Sequence, residues 1–76
     1  MVDHGAAMPP WQQLAALLRS QIESGELPPG ARLPSIVTLS QQHQIATVTV
    51  QKALTALRSE GLIVTTPGWG SFVAER

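Results

Sequence analysis

The sequence contains no cysteine and no tyrosine, a single phenylalanine, and charges limited to five basic and five acidic residues. Without cysteine there is neither a disulfide framework nor a thiolate zinc site, so any fold must hold by packing alone. Aromatic side chains are confined to Trp11, Trp69 and Phe72. Long apolar runs are missing too. Polar residues break every stretch well short of the roughly 20 residues a bilayer needs, and Met1-Val2-Asp3-His4 lacks the basic-then-apolar layout of a signal peptide. The expectation is a cytoplasmic chain with no membrane partner. The formal net charge is zero, which counts against nucleic acid as a partner, because domains that bind it are usually basic. Net charge is a whole-chain average, however, and phosphate contact depends on where charges sit and on backbone amides.

What is present points to one small helix-rich domain. The 76 residues allow one compact core, built from abundant alanine, leucine, isoleucine and valine, and leave no room for a second, ligand-binding domain. Residues 1–9 have no helical period and read as a flexible arm; residues 10–76 read as the folded unit. Pro10 suits a first helical turn, and Trp11, Leu14, Ala15, Leu18 and Ile22 recur at helical spacing as far as Gly25. Leu27-Pro28-Pro29-Gly30 is a rigid turn, followed by a short extended stretch, Ala31-Arg32-Leu33. Ser35 can cap a second helix from Ile36 to about Gln42, anchored in the core by Leu39. A third helix, from Thr47 to about Glu60, buries Val50, Ala53, Leu54 and Leu57. After Gly61, Leu62-Ile63-Val64-Thr65 and Ser71-Phe72-Val73-Ala74 flank the turn Pro67-Gly68-Trp69-Gly70 as a β-hairpin. The fold class is mainly α with a small β-hairpin. Its order of elements is that of a winged helix-turn-helix of three helices plus wing, with a plain three-helix bundle carrying a hairpin as the alternative.

Four blocks of sequence sharpen this. Ser24-Gly25-Glu26-Leu27-Pro28-Pro29-Gly30-Ala31-Arg32-Leu33-Pro34-Ser35 resembles the "xGxLxPGxxLPS" segment of GntR-type transcription regulators. Thr49-Val50-Gln51-Lys52-Ala53-Leu54, then Leu57 with Glu60-Gly61-Leu62-Ile63, then Gly68-Trp69-Gly70-Ser71-Phe72-Val73 are similar to the family's "TVxxAL", "L..EGL" and "GxG[ST]FV" blocks, in order and at the family's spacing. The resemblance covers the chain from about Pro10 to Val73. It implies a DNA-binding module that works as a dimer on a roughly palindromic double-stranded operator, usually followed by a larger domain that binds a small molecule. The chain also departs from the family. Arginines expected to touch DNA are replaced by Val37 in the second helix and Thr47 at the start of the third. The usual glycine of the turn is Gln44, and the serine before the third helix is Ala46.

On the third helix, Val48, Gln51, Lys52 and Thr55 form the face opposite the core, flanked near its start by Thr47 and Thr49. Against DNA, Val48 would meet a thymine methyl, Gln51 an adenine edge, and Lys52 a guanine or a phosphate; without DNA the same face is a solvated surface. Ser35 and Thr49 can each brace a helix start or donate to a phosphate. In the hairpin the candidates are Gly68, Trp69, Gly70 and Ser71. Trp69 either lies along a sugar-phosphate edge or folds back on Trp11 or Phe72, and the glycines serve the turn itself or a close approach to DNA.

His4 and His43 lack the spacing of a metal site and are expected at the surface. No carboxylate pair or nucleophile–base pattern points to catalysis, so no enzyme, cofactor or metal is expected. The competing function is a protein-interaction or dimerisation module in which Val37, Val48 and Trp69 form an apolar surface.

Overall fold

The computed structural model describes residues 8–75, so the expected arm at residues 1–9 and His4 lie almost wholly outside it. Three helices, α1 (Pro10–Ser24), α2 (Ile36–His43) and α3 (Thr47–Ser59), precede an antiparallel hairpin of β1 (Ile63–Thr66) and β2 (Gly70–Val73). Pro10 opens α1, where a missing amide leaves no bond unmade, and Gly25 closes it at φ 90°, donating its amide to the Ile22 carbonyl. Each helix turns one apolar stripe inward: Leu14, Ala15 and Leu18 from α1, Leu39 from α2, and Val50, Ala53, Leu54 and Leu57 from α3. Leu33, Ile45, Leu62 and Ile63 complete the same cluster.

The hairpin pairs Ile63 with Val73, Val64 with Phe72, Thr65 with Ser71 and Thr66 with Gly70. Its first strand begins one residue later than the sequence suggests, because Leu62 turns into the core at 5% exposure. The extended stretch at Ala31–Leu33 has its reason here. It lies along the free edge of β2, Leu33 donating to the Ser71 carbonyl at 2.8 Å and Val73 donating to that of Ala31 at 2.8 Å. β2 is thereby hydrogen-bonded on both sides, which ties the hairpin to the loop before α2.

One expectation is corrected. His43 is buried, at 8% exposure, rather than at the surface. Helix α2 runs one residue beyond the expected end, and this places His43 four residues after Leu39, on the same inward face. Burial disfavours the imidazolium and pushes the His43 pKa down. Among the described residues its Nδ1 has no hydrogen-bond partner. The chain leaves α2 through Gln44 at φ 56°, in the left-handed region that normally falls to glycine. Ile45 then drops into the core, and its carbonyl accepts a 2.5 Å bond from the Ser40 hydroxyl.

Candidate nucleic-acid interface

Helix α3 begins after Ala46, which offers no side-chain oxygen to the first-turn amides. Thr47, Val48, Gln51, Lys52 and Thr55 are all exposed, and Thr49 is half-buried. The outward face expected from periodicity is therefore the face the fold presents. Val48 is 67% exposed.

Lys52 is not simply free in solvent. Its Nζ sits 4.9 Å from the centroid of the Trp11 ring, the range in which a cation is held by the negative face of an aromatic system. Ser35 caps α2 as expected, accepting from the Thr38 amide at 3.1 Å, while its own hydroxyl donates to Thr38 Oγ1 at 2.8 Å.

At the hairpin tip Trp69 is 69% exposed, so of its two sequence readings the fold-back onto Trp11 or Phe72 is not adopted. Gly68 and Gly70 have φ of 80° and 109°, and both positions need glycine for that reason. The guanidinium of Arg32 lies against Gly70, where a Cβ would stand 3.2 Å from its Nε and the flexible arginine would have to shift slightly. Arg32 is a candidate the sequence reading missed, although the alternation of Ala31-Arg32-Leu33 already puts it opposite the buried Leu33.

Arg58 was missed as well. From the last turn of α3 it donates to the Thr65 hydroxyl of β1 at 2.8 Å and to that of Thr55 at 3.0 Å, and Thr65 in turn pairs with the Ser71 hydroxyl at 3.2 Å. One guanidinium thus joins the outward face of α3 to both strands of the hairpin. Only the exposure of an arginine in a last helical turn was visible in sequence; its partners were not.

Arg19 forms a two-pronged pair with Glu60, its Nε donating to Oε1 at 2.8 Å and its Nη2 to Oε2. That hydrogen bond raises the Arg19 pKa and lowers that of Glu60, but at this exposure such a pair stabilises little. Among the described residues, then, Arg19, Lys52 and Arg58 are each engaged by a partner within the domain, and Arg32 lies against Gly70.

A helix-turn-helix pair, α2 and α3, followed by an exposed hairpin tied to the end of α3 defines a winged helix-turn-helix domain. The sequence matches the family described as "Bacterial regulatory proteins, gntR family" over residues 3–73, and the chain belongs to that family. It is 44% identical over 66 residues to the uncharacterized HTH-type transcriptional regulator YjiR of Escherichia coli (strain K12), covering 87% of this chain and 14% of that one. Against the histidine utilization repressor of Pseudomonas aeruginosa it is 40% identical over 67 residues, covering 88% and 27%. The chain therefore spans only a minor part of the length of these relatives. Among solved structures, AraR(DBD) in complex with operator ORX1 superposes with a TM-score of 0.89 at 28% identity, covering 97% of this chain and 93% of that one. YtrA from Sulfolobus acidocaldarius, a GntR-family transcription factor, gives 0.91 at 33%, covering 100% and 80%.

Proposed function

We propose that this domain binds double-stranded DNA as a cytoplasmic, non-enzymatic regulator of transcription, with α3 in the major groove and the hairpin on the flanking groove. The observation that carries the reading is the outward stripe of α3, Thr47, Val48, Gln51 and Lys52, exposed in a fold shared with a domain solved on its operator. Base edges are read from such a face, and to Ser35, Thr49, Gly68, Trp69, Gly70 and Ser71 we assign contacts with the DNA backbone. Arg32, beside Gly70, joins that set.

The partner is a roughly palindromic operator engaged by two copies. The apolar stripes of all three helices pack into one core, so the isolated domain is at most a weak dimer, and firm pairing needs DNA or a further domain. Sedimentation at micromolar concentration without DNA should show a monomer; a stable dimer would overturn this part of the reading.

Binding is tested by titrating duplex DNA at low and then rising salt. A DNA binder loses affinity linearly in log salt, and Gln51→Ala and Lys52→Ala weaken it while circular dichroism stays unchanged. The exposed apolar side chains Val37 and Trp69, 58% and 69% accessible, favour a second reading as a protein-interaction module. That reading predicts no salt-sensitive DNA binding.

A further inference from the structure

We propose that Val48 reads the C5-methyl group of a pyrimidine in the major groove, so that the domain separates thymine from uracil, and 5-methylcytosine from cytosine, at one position of each half-site. This rests on α3 being the recognition helix. Val48 is the second residue of α3 and 67% exposed. At about 100° per residue it stands diametrically opposite Leu57, which is fully buried. A branched apolar side chain at the leading end of a groove-facing stripe finds its best complement on a base-pair edge in the C5-methyl, since the other prominent groups displayed there are hydrogen-bond donors and acceptors and the C5–H of cytosine is too small to fill the same contact.

The neighbours leave that contact undisputed. Ala46 and Thr47, on either side of the helix start, bring no charge. Lys52, one turn further along the same stripe, is held over Trp11. Arg58, near the far end of the helix, is bonded to Thr55 and Thr65. The first turn of α3 thus offers methyl groups and two threonine hydroxyls where a charged reader would select guanine or phosphate. Val37 is a built-in control: it is also exposed, at 58%, and also second in its helix, but α2 is the helix that crosses the DNA backbone in this fold.

The test starts from the tightest duplex selected out of a randomised pool by the full chain. Each thymine is replaced singly by deoxyuridine, which removes only the methyl. The responsive pair is then rebuilt as cytosine with and without a 5-methyl group. One position per half-site should lose about fourfold in affinity without the methyl, in both series, the equivalent of burying one methylene-sized group. Val48→Ala, which suits an exposed helical site, should bind thymine and uracil duplexes alike, and Val37→Ala should keep the wild-type discrimination. If the selected duplex binds but no position responds, or if Val48→Ala still discriminates, the proposal fails. Discrimination confined to the thymine series would also overturn it, because the methyl would then not suffice. Absence of binding to any duplex would overturn the DNA-binding reading itself, and this inference with it.

Discussion

The ammonium of Lys52 lies 4.9 Å from the ring centroid of Trp11, so the only lysine of the chain joins the outward face of α3 to the start of α1. An exposed cation–π contact contributes about 0.5–1 kcal/mol. It also competes with any phosphate for the same ammonium. Trp11→Leu should therefore lower stability in urea unfolding and at the same time raise affinity for nonspecific duplex at low salt, by about two- to fivefold. A fall in both would mean that Trp11 orients Lys52 toward DNA instead of holding it back.

Arg58 ties the end of α3 to the hairpin through Thr65 and is steadied within α3 by Thr55. Arg58→Met and Thr65→Val should each weaken DNA binding, and the double variant should be no worse than the stronger single, with a coupling of about 0.5–1 kcal/mol. Additive losses, with a salt slope reduced by about 0.9 for Arg58→Met alone, would instead mark a direct phosphate contact.

Gln44 holds φ 56°. A non-glycine residue there carries about 1–2 kcal/mol of steric strain, part of which a glycine would return as extra freedom of the unfolded chain. Gln44→Gly should raise stability by about 0.5–1 kcal/mol, measured as a higher urea midpoint at unchanged slope.

Thr47 is the exposed first residue of α3. Thr47→Arg should add either a phosphate contact, steepening the log–log salt slope by about 0.9, or a guanine contact, shifting preference at one base pair by about 1–3 kcal/mol. A folded variant unchanged in affinity, slope and preference would remove α3 from the groove.

His43 makes stability depend on pH. Because burial depresses its pKa in the folded chain, the unfolded chain takes up a proton first as the pH falls below about 6.5, and the native state is penalised until its own pKa is reached. Thermal midpoints should therefore drop on going from neutral to mildly acid solution and then level off. His43→Leu should flatten that window. Glu60, whose carboxyl is held below its ordinary value by Arg19, acts lower: its contribution is present above the usual carboxylate range and disappears as the pH falls through its depressed pKa.

The order of elements was legible from the chain because each helix carries its own apolar period. The outward face of α3 followed from the same period, since an inward stripe at Val50, Ala53, Leu54 and Leu57 leaves Val48, Gln51, Lys52 and Thr55 no other direction. The turn chemistry of Pro28-Pro29-Gly30 and Pro67-Gly68-Trp69-Gly70 was equally local. His43 was misplaced because one added residue of helix decides its side, and helix ends depend on tertiary packing as much as on propensity. What the basic side chains do could not be read at all. Lys52 over Trp11, Arg19 against Glu60 and Arg32 beside Gly70 each join segments some forty residues apart in the chain, about 41 in the Arg19–Glu60 pair. Periodicity states which way a side chain leaves its own element, but the partner it meets is set by how the elements pack, and that is decided only when the core closes.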